Sequence, residues 1–130
     1  METREFSACM ANGTIAYLDR DEAVGHIEWI EHPKFKGVFL KHLVKGADTD
    51  GQLSCHLVKL DPGCVLEEHT HESQWELHEV IAGEGDCILG AKALPYHPGR
   101  MTVIPKGTPH QVAAKGEGLV LLAKFFPALL

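Results

Sequence analysis

The stretch PGCVLEEHTHESQWELHEVIAGEG, residues 62–85, concentrates histidines and glutamates in a segment that is otherwise apolar and strand-like. His69 and His71 are separated by one residue, and Glu76 follows after four more. Imidazoles and carboxylates at this spacing form either a solvated, charged surface or a shared site for a metal ion. The rest of the chain decides between these two interpretations.

The spacing of these three residues suits a metal site built on neighbouring strands. Side chains at positions i and i+2 of a β-strand point to the same face, so His69 and His71 should project together. Glu76 begins the next predicted strand across a short loop, and its carboxylate can reach the same point. His110, which follows the turn-rich segment 105–109, is the candidate for a fourth ligand from another strand.

This set of donors indicates an open site for one divalent ion. Imidazole nitrogen and carboxylate oxygen bind first-row metals at about 2.0–2.2 Å, and the set suits iron, manganese, nickel, zinc or copper. Three neutral imidazoles and one carboxylate leave the ion with net positive charge. If the ion is five- or six-coordinate, one or two positions stay open, which is typical of catalytic rather than structural sites. We therefore predict one divalent transition metal as cofactor.

Glycine and proline interrupt short apolar runs at intervals of roughly ten residues, a rhythm typical of an all-β sandwich or barrel. We predict an N-terminal extension at residues 1–36 that packs on the barrel or on a partner, a β-barrel at 37–126, and a tail at 127–130. Within the extension, Thr14–Leu18 should form a strand and Asp19–Val24 a helical turn. The strands of the barrel are predicted at residues 37–45, 52–60, 75–82, 86–89, 93–96, 101–104, 110–114 and 118–126.

The composition excludes several classes of protein. A chain of 130 residues suits one domain, and its net charge of −6 argues against nucleic acid or anionic membranes as partners. No apolar run approaches the roughly 18 residues of a membrane span. The first residues, METREFSACMANGT, lack the features of a signal peptide, and the four cysteines are scattered without a CxxC pair. We expect a cytoplasmic protein with reduced thiols.

Two segments carry a resemblance to a known family. GCVLEEHTHESQWELHEVIAG, residues 63–83, has the pattern G-x5-H-x-H-x4-E-x6-G, and GRMTVIPKGTPH, residues 99–110, has the pattern G-x5-P-x-G-x2-H. These patterns are similar to the two motifs of the cupin superfamily, and the short gap between them resembles the small single-domain members. Where the second motif usually continues to an Asn after three more residues, this chain has Ala114.

The resemblance implies a fold and a set of ligands. The fold is an antiparallel jelly-roll β-barrel in a single domain, and the divalent metal would be bound by His69, His71, Glu76 and His110. The atypical Ala114 does not affect this set, because the Asn of the motif is not a metal ligand.

Further residues are candidates for the chemistry around the ion. His78 shares a face with Glu76, so we predict that it points inward beside the metal, either as a core histidine or as a group next to the ligands or the substrate that transfers protons. Glu72, in the loop between the ligands, is a second candidate for proton transfer. Strand parity also places His56, Val112 and Ala114 inward, where they should line a substrate pocket.

Two functions remain open at this point. The leading hypothesis is a small metal-dependent enzyme, an oxidoreductase such as a dioxygenase, a lyase or an isomerase, acting on a small organic acid or phenol-like molecule. The alternative is a non-catalytic cupin that binds or senses a small molecule. The cupin fold does not choose between them, since it supports many activities.

The C-terminal sequence predicts a homodimer. Residues 119–130, LVLLAKFFPALL, are almost entirely apolar, and Phe125 and Phe126 should lie on opposite faces of the last strand. A large apolar surface at a chain end is typical of an interface. The alternative is that the tail folds back onto its own barrel.

Overall fold

The computed structural model describes residues 3–130 as one short helix followed by β-structure. The helix α1 spans Thr3–Ala11, and two 3₁₀ turns lie at Val24–His26 and Gly46–Asp48. The strands are β1 (Thr14–Ala16), β2 (Asp21–Ala23), β3 (Ile30–Glu31), β4 (Val38–Val44), β5 (Ser54–Leu60), β6 (Val65–His69), β7 (Trp75–Leu89), β8 (Lys92–Tyr96), β9 (Met101–Ile104) and β10 (His110–Phe126).

The strands form an antiparallel jelly-roll β-barrel, as predicted. The order β3-β4-β5-β10-β7-β8 forms the main sheet, β6 also pairs with β10, and β9 also pairs with β7. The first part of β10 contacts β6 and the far end of β7, whereas its second part lies between β5 and the beginning of β7. The two long strands therefore bend and contribute to both sides of the barrel.

The prediction of separate strands at 75–82 and 86–89, and at 110–114 and 118–126, was wrong. Gly83 and Gly118 have positive φ, of 82° and 74°, a conformation that is common in turns. The conformation is used instead for an irregularity within a continuous pair of strands, where the register shifts between Ala114 and Leu119. The glycines thus bend β7 and β10 without ending them.

The main apolar core fills the interior of the barrel. Its members come from the inward faces of both sides and include Val58, Leu60, Val112, Leu119 and Leu121, all of them buried. Burial of each such side chain contributes about 1.5–3 kcal/mol. This core supports the strands whose ends carry the histidine and glutamate residues singled out above.

A second apolar cluster lies on the outer face, where the N-terminal residues cover the sheet. Val24 and Ile15 of the extension pack with Leu43, Leu57 and Ile81. The expected helical turn at Asp19–Val24 is instead the strand β2 followed by a 3₁₀ turn, and the helix α1 was not predicted. Both elements depend on contacts with the barrel that periodicity within so short a segment does not reveal.

The C-terminal tail folds back onto its own barrel. The backbone N–H of Ala128 donates to the carbonyl of Gly51 at 3.0 Å, and the N–H of Leu129 donates to Oγ of Ser54 at 2.9 Å. Phe125 is buried and Phe126 is 42% exposed, as their opposite faces predicted. The homodimer stays a prediction, with less of the tail free to form it than the sequence suggested.

Within residues 3–130, the helix α1 and the 3₁₀ turns are too short to cross a membrane.

Candidate metal centre

The four predicted ligands converge at one end of the barrel. His69 ends β6, Glu76 is the second residue of β7, and His110 begins β10, while His71 lies in the loop after β6. One ligand atom from each of the four side chains lies within 4.8 Å of every other. Glu76 and His110 are buried, and the other two are partly buried. This cluster could hold one metal ion.

His69 and His71 reach the cluster by a different route from the one predicted. The strand ends at His69, so alternation along a strand does not position His71. The backbone carbonyl of His71 instead accepts a hydrogen bond from the N–H of Gly107 at 2.9 Å, which ties its loop to the turn before His110. His69 pairs directly with His110 across β6 and β10, and their ring centroids are 4.2 Å apart.

Backbone carbonyls orient two of the imidazole rings. Nδ1 of His69 lies 2.8 Å from the carbonyl of Glu67, and Nδ1 of His110 lies 2.9 Å from the carbonyl of Thr108. A carbonyl oxygen only accepts, so both Nδ1 atoms carry hydrogen. In the neutral rings the lone pair is therefore on Nε2, directed to the cluster. Such bonds behind the ligand atom are the usual support of metal-binding histidines.

Two buried atoms in the cluster lack a hydrogen-bond partner. Oε1 of Glu76 and Nε2 of His110 lie 3.1 Å apart, but neither makes a hydrogen bond of acceptable geometry. With His110 neutral, both atoms are acceptors, and two buried acceptors facing each other are unfavourable. A cation between them, whether a proton or a metal ion, removes this conflict. The donor set and its unsatisfied atoms therefore fit a divalent ion.

The charges in the cluster favour a cation at this point. Burial would raise the pKa of Glu76, but interactions with His78 and His110 lower it overall, so the carboxylate is ionised. Burial lowers the pKa of His110, but the adjacent carboxylate of Glu76 prevails and raises it. The site thus attracts positive charge, and protons compete with a metal ion for His110 as the pH falls.

His78 lies behind Glu76 and not in the cavity. Its Nε2 is 2.7 Å from Oε2 of Glu76, and its Nδ1 is 2.9 Å from the hydroxyl of Tyr96. The ionised carboxylate accepts from Nε2–H of His78, and Nδ1 contacts the hydroxyl of Tyr96, whose pKa is raised by burial. Both nitrogens are engaged, so the predicted proton-transfer role of His78 is not supported. We assign it to orienting the Glu76 carboxylate.

Replacing Tyr96 with Phe should weaken metal binding without removing a ligand. The change leaves Nδ1 of His78 without its hydrogen-bond partner and loosens the orientation of Glu76. Losing an outer partner of a metal ligand typically costs 10–100-fold in affinity, and we expect about tenfold here. Competition with a chromophoric chelator measures the affinity. Tyr17→Phe, the same change at the outer surface, is the control, and wild-type affinity in Tyr96→Phe would contradict the assignment.

A cavity of about 350 Å³ opens beside the cluster. His69, His71 and Glu76 lie in its wall, together with the apolar side chains of Phe35 and Phe125. A cavity of this size, mostly apolar with a few polar groups at fixed places, is typical of a site for a small molecule.

The predicted pocket residues are only partly in this wall. His56 is buried and lines the cavity. Val112 and Ala114 do face inward, but they belong to the apolar core and not to the cavity wall. Glu72 is exposed, and its carboxylate lies near Gly107 outside the cavity, so its predicted catalytic role is not supported either.

Sequence reasoning missed several residues of the wall. His32 was not among the predicted site residues, but it stacks on Phe35 with ring centroids 4.6 Å apart and lines the cavity. Leu129 of the tail lines it as well. No motif marks these positions, because they reach the cavity from loops and from the chain end.

The fold and the site together define a jelly-roll barrel with a cluster of three histidines and one glutamate beside its internal cavity. A family model for the cupin domain matches residues 56–123, more than half of the chain. The chain therefore belongs to the cupin family. A search of curated proteins finds no match.

Solved structures with the same fold include proteins of several kinds. A predicted oxalate decarboxylase from Thermotoga maritima is 26% identical, with a TM-score of 0.71 over 79% of this chain and 95% of that one. KdgF from a Halomonas species is 25% identical, with a TM-score of 0.67 over 77% of this chain and 87% of that one. An RmlC-like cupin from Shewanella frigidimarina, at 17% identity, has a TM-score of 0.73 over 89% and 95% of the two chains and supports the fold alone.

Proposed function

We propose that this protein is a small metal-dependent cupin enzyme that acts on a small organic acid. The observation that carries the proposal is the convergence of four ligand atoms within 4.8 Å, two of them buried without a hydrogen-bond partner, beside a cavity of ligand size. His69, His71, Glu76 and His110 would hold the ion. The identity of the metal and the type of reaction, whether oxidoreductase, lyase or isomerase, stay open.

The charge of the site favours an anionic substrate. Three neutral imidazoles and one carboxylate leave a divalent ion with a net charge of about +1. The apolar part of the wall lowers the local dielectric constant, so this charge attracts an anion in the cavity more strongly than it would in water. When bound, the ion would supply Lewis-acid polarisation and a fixed point for oxygen ligands. The similarity to a predicted oxalate decarboxylase supports an organic acid over a phenol-like molecule as the substrate class.

The residues of the chain would contribute binding, orientation and exclusion of water. Glu76 is held by the His78–Tyr96 pair, so its carboxylate does not reorganise when the ion binds. Phe125, which lies against His71 with ring centroids 5.0 Å apart, shields that side of the cluster from solvent. Both effects keep the ligand geometry fixed while substrate binds.

One observation favours the non-catalytic alternative. The two residues predicted to transfer protons, His78 and Glu72, lie outside the cavity wall. A protein that only binds a small molecule at the ion needs no such group. A reaction in which the metal-bound substrate requires no separate acid or base would also fit this arrangement.

A turnover screen separates the two functions. Protein purified without an affinity tag is loaded with iron, manganese, nickel, zinc or copper and incubated with a panel of small organic acids, with and without oxygen. Product analysis by mass spectrometry should show conversion of at least one acid by one metal form, at a rate about 100-fold or more above Glu76→Gln treated identically. Binding without conversion in every form would favour the alternative, and absence of both would contradict the proposal.

A further inference from the structure

A chain of hydrogen bonds runs from the C-terminal tail into the cavity wall. The backbone N–H of Leu129 donates to Oγ of Ser54 at 2.9 Å, and this oxygen lies 2.9 Å from Nε2 of His56. Nδ1 of His56 in turn lies 2.8 Å from Nδ1 of His42. Ser54 and His56 are buried, at 0% and 2% exposure, so water does not compete for these bonds.

Hydrogen-bond satisfaction gives the direction of the bonds in this chain. A backbone N–H only donates, so Ser54 accepts from Leu129. Within the described residues Oγ of Ser54 has no other acceptor beside it, so its hydroxyl hydrogen is satisfied only by donating to Nε2 of His56. Neutral His56 then carries hydrogen on Nδ1 and donates it to Nδ1 of His42. Neutral His42 therefore carries its hydrogen on Nε2, an atom that has no hydrogen-bond partner within residues 3–130.

Both rings are neutral at physiological pH, as this direction requires. Burial and the neighbouring His42 lower the pKa of His56 to about 4, and burial together with Lys45 lowers the pKa of His42. At physiological pH, His42 and His56 therefore each hold one fixed neutral tautomer in this chain of hydrogen bonds.

The last ring of this hydrogen-bond chain, His42, lies in the cavity wall. Leu40 and His42 share the inward face of β4 and both line the cavity, and His42 also borders a separate outer pocket. From His42 the rings follow one another to His56, Phe125 and His71, with successive centroid separations of 5.0, 5.5 and 5.0 Å. Between the two ends the wall includes the apolar side chains of Leu40, Val58 and Phe125.

We propose that Nε2–H of His42 is a hydrogen-bond donor that recognises an acceptor oxygen at the far end of the substrate. This inference rests on the proposed function and makes it more specific: the substrate carries metal-binding oxygens at one end, an apolar middle, and a carbonyl or carboxylate oxygen at the other end. His42 contacts the substrate, while Ser54 and His56 are positioning residues that fix its tautomer. The tail takes part because Leu129 supplies the first donor.

The tautomers can be measured on the metal-free protein, independently of the metal site. Long-range proton–nitrogen correlation spectra near pH 7.5 should show His56 with hydrogen on Nδ1 and His42 with hydrogen on Nε2. Ser54→Ala removes the donor to Nε2 of His56, so the tautomers of both rings should become mixed, whereas Ser73→Ala, at an exposed serine, should change neither. Hydrogen on Nδ1 of His42, or on Nε2 of His56, in the unmodified protein would overturn the inference.

Recognition of the far oxygen is tested with dicarboxylates and monocarboxylates. Zinc-loaded protein is titrated with the dicarboxylates from succinate to suberate and with the monocarboxylate of the same carbon number in each case. At the length that spans the cavity, the dicarboxylate should bind about tenfold more tightly. His42→Phe should abolish this preference while zinc content is unchanged, and His97→Phe, at an exposed histidine, should keep it. The inference would be overturned if His42→Phe kept the preference for dicarboxylates, or if zinc-loaded wild type showed no such preference at any length. Neither result would argue against the metal site.

Discussion

Glu76→Gln should bind the metal at least about 100-fold more weakly and yet still fold. The substitution removes the negative charge and one ligand oxygen, which should cost more than the 10–100-fold typical for an outer partner. The amide can also do what the carboxylate cannot. Its oxygen accepts from Nε2–H of His78, and its N–H₂ group can donate to the unsatisfied Nε2 of His110.

Weaker metal binding in a variant that still folds distinguishes a metal site from a buried ion pair that serves stability only. If the buried glutamate served stability alone, the amide would leave the metal content unaffected. Metal content by mass spectrometry and the free energy of unfolding in urea, both on tag-free protein, measure the two effects. Glu79→Gln is the matched control on the same strand, since Glu79 pairs with Lys124 on the outer face and should leave the metal content unchanged.

Gly83→Ala should destabilise the barrel by about 3 kcal/mol or more, a large part of the roughly 5–15 kcal/mol typical of one domain. The residue has φ of 82°, and a Cβ atom there would lie 2.0 Å from the carbonyl oxygen of Gly118. That oxygen belongs to the backbone of β10, so the contact is relieved only by moving the two long strands apart. Urea unfolding of the metal-free protein measures the loss.

The matched control is Gly90→Ala in the turn between β7 and β8. Gly90 also has positive φ, of 59°, but nothing lies within 4 Å of the position a Cβ would take. Gly90→Ala should lower the free energy of unfolding only by the penalty that a side chain with a Cβ has at positive φ, about 1–2 kcal/mol. If Gly83→Ala and Gly90→Ala lowered the free energy of unfolding equally, the close approach of β7 and β10 would not be the reason that Gly83 is needed.

The sequence predicted the fold class and the cluster well because both depend on local patterns. Turn residues at regular intervals predict short antiparallel strands. The spacing of His69, His71 and Glu76 can be recognised even when the exact bounds of the strands are not known. The joining of strands across 83–85 could not be predicted, since a glycine with positive φ serves a turn and an irregular strand pair equally well. Only the pairing partner, the backbone near Gly118, distinguishes them.

Residues beyond the cluster were harder to place, because their roles depend on tertiary contacts. Alternation along the strand correctly pointed His78 inward, but its burial between Glu76 and Tyr96 follows from the pairing of β7 with its neighbours. His56 was expected in the pocket, whereas its partners Ser54 and Leu129 are 75 residues apart in the chain and meet only in the folded protein. No sequence pattern connects positions that far apart.

The most direct test of the account is the position of the metal itself. Crystals of tag-free protein loaded with manganese, measured at a wavelength where manganese scatters anomalously, should show one strong peak per chain. The peak should lie about 2.0–2.3 Å from Nε2 of three histidines, His69, His71 and His110, and from a carboxylate oxygen of Glu76. A fully loaded protein with its peak at other residues, or with no peak at this cluster, would contradict the account.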